Sequence, residues 1–352
     1  MYTNAKIFLI IPLAALWAGC QRNSGTVIKP ALVTDRVAVD SDDPAIWYNS
    51  ANPATSLVVG TDKGGDLGEG ALYTFGLNGK IVSKSVTLKR PNNVDIAYSL
   101  PVDDKKIDVA VCTERLTNRI RVFSLPDLTP VDSAGIDVFE GEPDGFRDPM
   151  GIALYTDAAT NQLYAIVGRK NGPTDGTYLW QYKLQADSLG VVRGTVVRKF
   201  GYYSGKKEIE SIAVDNELGY VYHSDEMHGI HKSYAHPDSS NVELALFGST
   251  GFTEDVEGIS IYKLTDTTGY ILVSDQQANL FRVFPREGTK GNPHLQEEIV
   301  ALPLSTLESD GSDVTSVALP GFQHGLFVAM STNGTFQLYR WEDLAGDVLK
   351  KK

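Results

Sequence analysis

The sequence predicts an all-β chain folded as a β-propeller, and three observations carry that prediction. Short stretches rich in β-branched and aromatic residues run along the whole chain, most of them bounded by Gly, Asn, Asp or Pro. No long segment repeats its apolar residues with a helical period. The stretches are evenly spaced with no linker between them, which suits radially arranged four-strand groups and disfavours a pair of β-sandwiches. Spacing alone allows about five to seven such groups.

Taken in chain order, the candidate strands begin with Ser56–Gly60, Ala71–Phe75, Lys106–Thr113 and Arg119–Ser124. Gln162–Gly168, Tyr178–Leu184 and Gly219–His223 follow, then Gly269–Ser274, Leu280–Phe284, Gly325–Met330 and Thr335–Arg340. Leu77-Asn78-Gly79-Lys80 carries an Asn-Gly hairpin signal, because both central positions of a type I′ turn favour residues that tolerate positive φ. Repetition shows only as pattern, as in Gly-Tyr-Val-Tyr at 219–222 against Gly-Tyr-Ile-Leu at 269–272. The clearest helical candidate is Trp341–Leu349.

The N-terminus reads as a targeting segment. Lys6 precedes an apolar run from Ile7 to Trp17, and Ala18-Gly19-Cys20 ends it. A charged start, a short apolar stretch and small residues describe a secretory signal over residues 1–20, too short to favour a spanning helix. Cys20 after Ala-Gly resembles a bacterial lipobox, with Trp17 where Leu is usual. Lipidation of Cys20 would place the protein outside the cytoplasm, held in the cell envelope by a lipid anchor. Residues 21–34 are then expected to form a flexible tether, 35–345 the propeller and 346–352 a tail. Cys112 would be the sole cysteine of the mature chain. Its alternating surroundings, Lys106 to Cys112, mark it as a small buried hydrophobe rather than a nucleophile.

Of 352 residues, 42% are hydrophobic and 22% charged, ample for a full core. A net charge of −12 argues against a nucleic-acid partner. Bound divalent cations would reverse that potential locally, so an anionic ligand stays compatible with it. No Gly-x-Ser-x-Gly, Walker loop or GxGxxG occurs, which leaves nucleophilic-serine and nucleotide chemistry without support.

What remains is an unusual set of carboxylates. Asp42-Asp43 precedes an apolar run; Glu210, Asp255, Glu257 and Asp313 also lie just before candidate strands, and Asp225-Glu226 just after one. In a propeller the loops of one face converge on the channel, so carboxylates distant in sequence can share a hard cation such as Ca²⁺. Lys63, Arg115 and Lys170 sit in or near turns, Lys63 and Lys170 among glycines; such cations suit phosphate, yet from these segments alone solvated turn positions are the better reading. His223, His228, His231 and His236 match no zinc spacing and are expected at strand edges and on the surface.

In that order these segments resemble the β-propeller phytases, calcium-dependent hydrolases of inositol hexakisphosphate, across roughly residues 35–345. The segments are Asp42-Asp43-Pro44-Ala45-Ile46-Trp47, Thr61-Asp62-Lys63, Asn92-Asn93-Val94-Asp95-Ile96, Glu114-Arg115 and Arg169-Lys170-Asn171-Gly172. Glu208-Ile209-Glu210, Asp255-Val256-Glu257-Gly258, Ser274-Asp275-Gln276, Ser312-Asp313 and Gly325-Leu326-Phe327-Val328-Ala329 complete the series. The resemblance implies a six-bladed propeller with several Ca²⁺ ions at one mouth. It implies calcium ligands at Asp42, Asp43, Glu210, Asp225, Asp255, Glu257, Gln276 and Asp313, and phosphate contacts at Lys63, Arg115 and Lys170. Glu210, Asp255, Glu257, Lys63 and Arg115 would carry catalysis, with water attacking phosphorus directly. The expected substrate is calcium phytate, bound by a monomer. Gly64, Met150, Ser211 and Ala318 depart from the family pattern. Two other readings remain open: a calcium-stabilised propeller that only binds, and a calcium-dependent propeller lactonase.

Overall fold

The computed structural model describes residues 25–352. The expected signal segment and Cys20 therefore lie outside the described residues. The chain forms six antiparallel sheets of four or five strands, an all-β six-bladed propeller. We number the blades I to VI.

Each blade starts at the axis and runs outward. Blade I comprises Ser41–Trp47, Leu57–Asp62, Glu69–Gly76 and Ile81–Lys84, with Leu88–Lys89 added to its third strand. Blade II comprises Pro91–Val102, Lys105–Glu114, Arg119–Ser124 and Thr129–Pro130, with Ile136–Asp137 beside its third strand. Blade III is Pro149–Thr156, Leu163–Arg169, Leu179–Ala186 and Val192–Phe200; blade IV is Ile212–Asp215, Tyr220–Asp225, Gly229–Tyr234 and Ala245–Phe247. Blade V is Val256–Lys263, Gly269–Asp275, Leu280–Pro285 and Val300–Pro303. The six innermost strands contact one another in sequence and close a ring, the last touching the first.

The second strands explain why sequence pattern located them so readily. Both faces of each blade are covered by neighbouring blades, so these strands read as continuous apolar runs rather than alternating ones. Leu57–Asp62 and Gly269–Asp275 are buried at every position. At Gly60 an added Cβ would run into the Phe336 ring of blade VI, so only glycine lets these two blades meet.

The ring is closed by its ends. Blade VI is Ser312–Thr315, Leu326–Ser331 and Thr335–Arg340, and its outer strand is Leu32–Val33 from the N-terminal side. Leu32 pairs with Leu338 and Val33 with Gln337, while Ile28 bridges to Leu304 of blade V's outer end. The stretch expected as a tether is thus hydrogen-bonded to the propeller from residue 28 onward. The physical reason is the unpaired edge of Thr335–Arg340, which takes any available strand.

The C-terminal helix spans Trp341–Ala345, shorter than expected because Gly346 turns to φ +50° and stops it. The Trp341 ring stacks on Tyr262 at 3.6 Å. The expected tail packs too: Leu349 is buried and the Lys350 amide donates to the Tyr270 hydroxyl at 2.8 Å. Among the described residues no helix is long and apolar enough to cross a membrane.

Candidate metal and phosphate site

The site grows from one repeated irregularity. In four innermost strands the pairing skips two residues at the start: between Ser41 and Pro44, Pro91 and Val94, Pro149 and Ile152, and Val256 and Ile259. Such bulges re-aim side chains next to functional sites. The skipped pairs are Asp42-Asp43, Asn92-Asn93, Met150-Gly151 and Glu257-Gly258. Glu210-Ser211 and Asp310-Gly311 hold the corresponding place in blades IV and VI. Cross-blade bonds fix that alignment, for example the Val94 amide to Asp43 Oδ2 at 3.0 Å and the Ile259 amide to Ser211 Oγ at 2.8 Å.

Glycine at the second place brings the blades together. A Cβ on Gly258 would lie 2.9 Å from Asp310 O, and one on Gly311 would strike Asp43. The first places therefore crowd around one mouth of the channel: Asp42, Asn92, Met150, Glu210, Glu257 and Asp310.

Loops add the rest. Glu226, at the turn after Tyr220–Asp225, meets Glu208 and Glu210 on one side and Asp255 and Glu257 on the other. Within each of these two triads, one oxygen per carboxylate lies within 4.8 Å of the others. Glu226 Oε1 and Glu257 Oε2 are buried with no partner, and Glu226 Oε2, Glu208 Oε2 and Asp42 Oδ1 have only a lysine ammonium beside them. An unsatisfied buried polar atom in a native fold calls for an explanation, and a missing cation is one.

Cations from the protein partly answer that charge. Lys63 Nζ lies 3.0 Å from Asp42 and 3.2 Å from Asp310. Lys207 Nζ lies 2.7 Å from Glu226 and 2.6 Å from Asp255, and Lys170 Nζ lies 3.4 Å from Glu208. Arg115 differs: its guanidinium rests on the Met150 sulfur and its buried Nε has no partner.

The electrostatics follow from burial. Glu210 and Glu257 are pushed well above the usual carboxylate range, first by burial, then by the charges of Asp42 and Asp310 on Glu210 and of Glu210 and Glu226 on Glu257. Burial lifts Glu226 to about 8, against the pull of Lys207, and lifts Asp310 to about 7. Burial would raise Asp42 as well, but the charge and hydrogen bond of Lys63 hold it below its ordinary value. Lys63 in turn is held above its own, burial being outweighed by Asp42 and Asp310.

The expected ligands divide between this mouth and other places. Asp42, Glu210, Asp255 and Glu257 lie at the mouth. Gln276 joins them by donating to Asp310. Asp43 and Asp313 line the channel, a cavity of about 630 Å³ along the axis. Asp313 accepts the Ile46 and Val314 amides at 2.7 Å each, so both its oxygens are engaged by backbone. Asp225 turns away from its neighbour Glu226 and is held by Ser204 and by His231 Nε2 at 3.2 Å. Asp310, Glu226, Glu208 and Lys207 were not among the expected site residues.

The histidines differ from expectation. His223 and His231 are buried and stacked at 4.7 Å, with His231 clamped between Asp225 and Glu243. Asp225, His228 and His231 each bring a ligand atom within 4.8 Å of the others, so this cluster too has the donors for a metal ion. Cys112 is free and buried, its thiol pushed well up by burial.

The family model described as Phytase matches residues 6–348. The chain belongs to the phytase family. It is 29% identical over 332 residues to the 3-phytase of Bacillus subtilis (strain 168), covering 87% of this chain and 80% of that protein. Among solved structures it is similar to BBS1N, from its complex with ARL6DN, at TM-score 0.47 and 12% identity over 86% of this chain and 78% of that one. It is similar to the Dos1 propeller at TM-score 0.42 and 12% identity, over 84% and 66%. Likeness at that level bears on neither chemistry nor ligand.

Phytase membership makes the chain a phosphate-ester hydrolase with a small-molecule substrate, in a family that uses metal. The donor set suits a hard cation: four carboxylates and the Asn92 amide, with a soft sulfur only at Met150 in the ring.

Proposed function

We propose that this phytase-family chain removes phosphate from phytate (myo-inositol hexakisphosphate) with calcium held at the channel mouth. The observation that carries the reading is the cluster of buried carboxylate oxygens without partners around Glu226, beside cations that suit phosphate. Glu208, Glu210 and Glu226 would hold one ion, and Glu226, Asp255 and Glu257 another, with Asp42, Asp310 and Gln276 adjoining. Bound calcium would supply a water of lowered pKa as nucleophile and neutralise charge on the phosphoryl oxygens.

The chain's own cations do the positioning. Arg115, with no carboxylate partner among the described residues, offers its guanidinium to a phosphate oxygen pair. Lys63 sits between the ring and the rim and reaches a second oxygen; Lys170, half exposed, meets a neighbouring phosphate of the same inositol. Holding a neighbouring phosphate of the same substrate fixes the reacting one in orientation for attack. Asp43, Asp225 and Asp313 then serve the fold around the site, not the metal. No side chain is needed as a covalent nucleophile.

Export and lipid anchoring through Cys20 complete the proposal, resting on the N-terminal pattern alone. Six blades close within one chain, so a monomer suffices.

The test is phosphate release from phytate by the purified exported chain, with calcium and then with excess EGTA, alongside Glu210→Gln. Release that needs calcium and collapses in the variant supports the reading. Calcium that raises Tm without any release would instead favour a propeller that only binds, and turnover of a lactone would favour a lactonase.

A further inference from the structure

Lys207 has no role in the account above, yet its ammonium lies between Glu226 and Asp255, two members of one acidic triad. It donates a hydrogen bond to Asp255 Oδ2 at 2.6 Å. It also lies 2.7 Å from Glu226 Oε2, which leaves Glu226 Oε1 and Glu257 Oε2 buried with no partner. A compact point charge with a few directed protons cannot satisfy three carboxylates at once. A calcium ion, taking six to eight oxygens at about 2.3–2.6 Å, can.

The lysine is also built to leave. Its side chain is 41% exposed, against 1% for Glu226 and 7% for Asp255, so its stem leads outward. It stands in the stretch from Gly201 to Ser211, which has no regular secondary structure. Glu208 and Glu210 follow directly, so the segment that carries the lysine also carries metal ligands.

We propose that Lys207 and a calcium ion hold the Glu226–Asp255 carboxylates alternately, and that the displaced ammonium then binds a substrate phosphate at the rim. This rests on the calcium and phosphate reading of the mouth. An ammonium and a divalent ion on the same two oxygens repel strongly in so buried a place, which makes the two occupants exclusive. Once outside, the four-carbon stem keeps the charge at the rim, near Lys170, on the side of the mouth away from Lys63.

Calorimetric titration of calcium into the EGTA-treated, desalted exported chain tests this directly, with Lys207→Gln, Lys207→Arg and Lys206→Gln beside the wild type. Lys207→Gln is expected to bind calcium about tenfold more tightly, because a competitor has been removed. Lys207→Arg and Lys206→Gln are expected to match the wild type. With calcium saturating, Lys207→Gln is expected to raise KM for phytate several-fold and to change kcat little. Unchanged or weaker calcium binding by a folded Lys207→Gln, with wild-type binding intact, would overturn the exchange alone. Absence of calcium binding in all four proteins would overturn the reading beneath it as well.

Discussion

Two sets of buried carboxylates, one deeper in the channel and one at its mouth, come from different blades and live in opposite circumstances. Asp95 and Asp313, deeper in the channel, have both oxygens engaged by backbone amides: Ile96 and Leu154 for the first, Ile46 and Val314 for the second. At the mouth, Glu257 Oε2 and Glu226 Oε1 are buried with no donor, and Glu226 Oε2 has only the Lys207 ammonium beside it. Burial raises all four, Asp95 to about 6 and Asp313 to about 7. Residue type and burial are therefore shared; the supply of donors is what differs. Where the backbone provides donors, the acid stitches one blade to the next. Where a bulge or turn turns the acid away from the backbone, no amide answers it.

The sharpest way to break this contrast is to neutralise one member of each set. Glu226→Gln should lower phosphate release about 100-fold or more and weaken calcium binding, because it serves both triads. Asp313→Asn should keep most of the activity at saturating calcium. It should instead cost about 1–3 kcal/mol of stability, seen in urea unfolding, because one of its amide bonds loses its acceptor. Equal losses of activity in both variants would erase the distinction.

The pH dependence of the mouth comes next in size. With Glu226 near 8 and Asp310 near 7, the folded protein holds protons that the unfolded chain releases above about 4.5. In EGTA, stability should therefore fall as pH rises from about 4.5 to about 8. Calcium displaces the same protons, so its affinity should rise across that window. Melting curves at several pH values, with and without calcium, read both trends, and stability that climbs with pH in EGTA would contradict the assignment.

Smaller effects test the scaffold. Gly258→Ala places a Cβ 2.9 Å from Asp310 O and should cost about 1–3 kcal/mol while shifting the Asp310 side of the ring. Glu69→Gln removes an exposed pair with Lys89 at 3.2 Å and should change stability by less than about 1 kcal/mol, with unaltered calcium binding.

Much of this was legible from residues alone, and the reasons are specific. Doubly covered strands such as Leu57–Asp62 read as apolar runs between turn residues, and their even spacing gave the architecture. Asp42, Glu210, Asp255 and Glu257 stood out because acids directly before an apolar run need a purpose. Which acids face the mouth depended on register. Asp313 looked like the acid of blade VI, but the position that aligns with Asp42 and Glu257 lies three residues earlier, at Asp310. The Asp225-Glu226 pair was visible, yet strand alternation decided which one faces the mouth, and Asp225 shares its face with His223 and His231. Aligning the blades on Asp42-Asp43, Glu257-Gly258 and Asp310-Gly311 would have found the ring. Nothing local marked Lys207 or the pairing of Leu32–Val33, since each depends on partners far away in the chain.

A crystal structure of the exported chain grown in calcium chloride puts the central claim to the most direct test. The expected result is cation density within about 2.6 Å of Glu226 oxygens on both sides, shared with Glu208 and Glu210 and with Asp255 and Glu257. Well-ordered Glu226 with no cation in that range, while calcium binds elsewhere on the propeller, would contradict it.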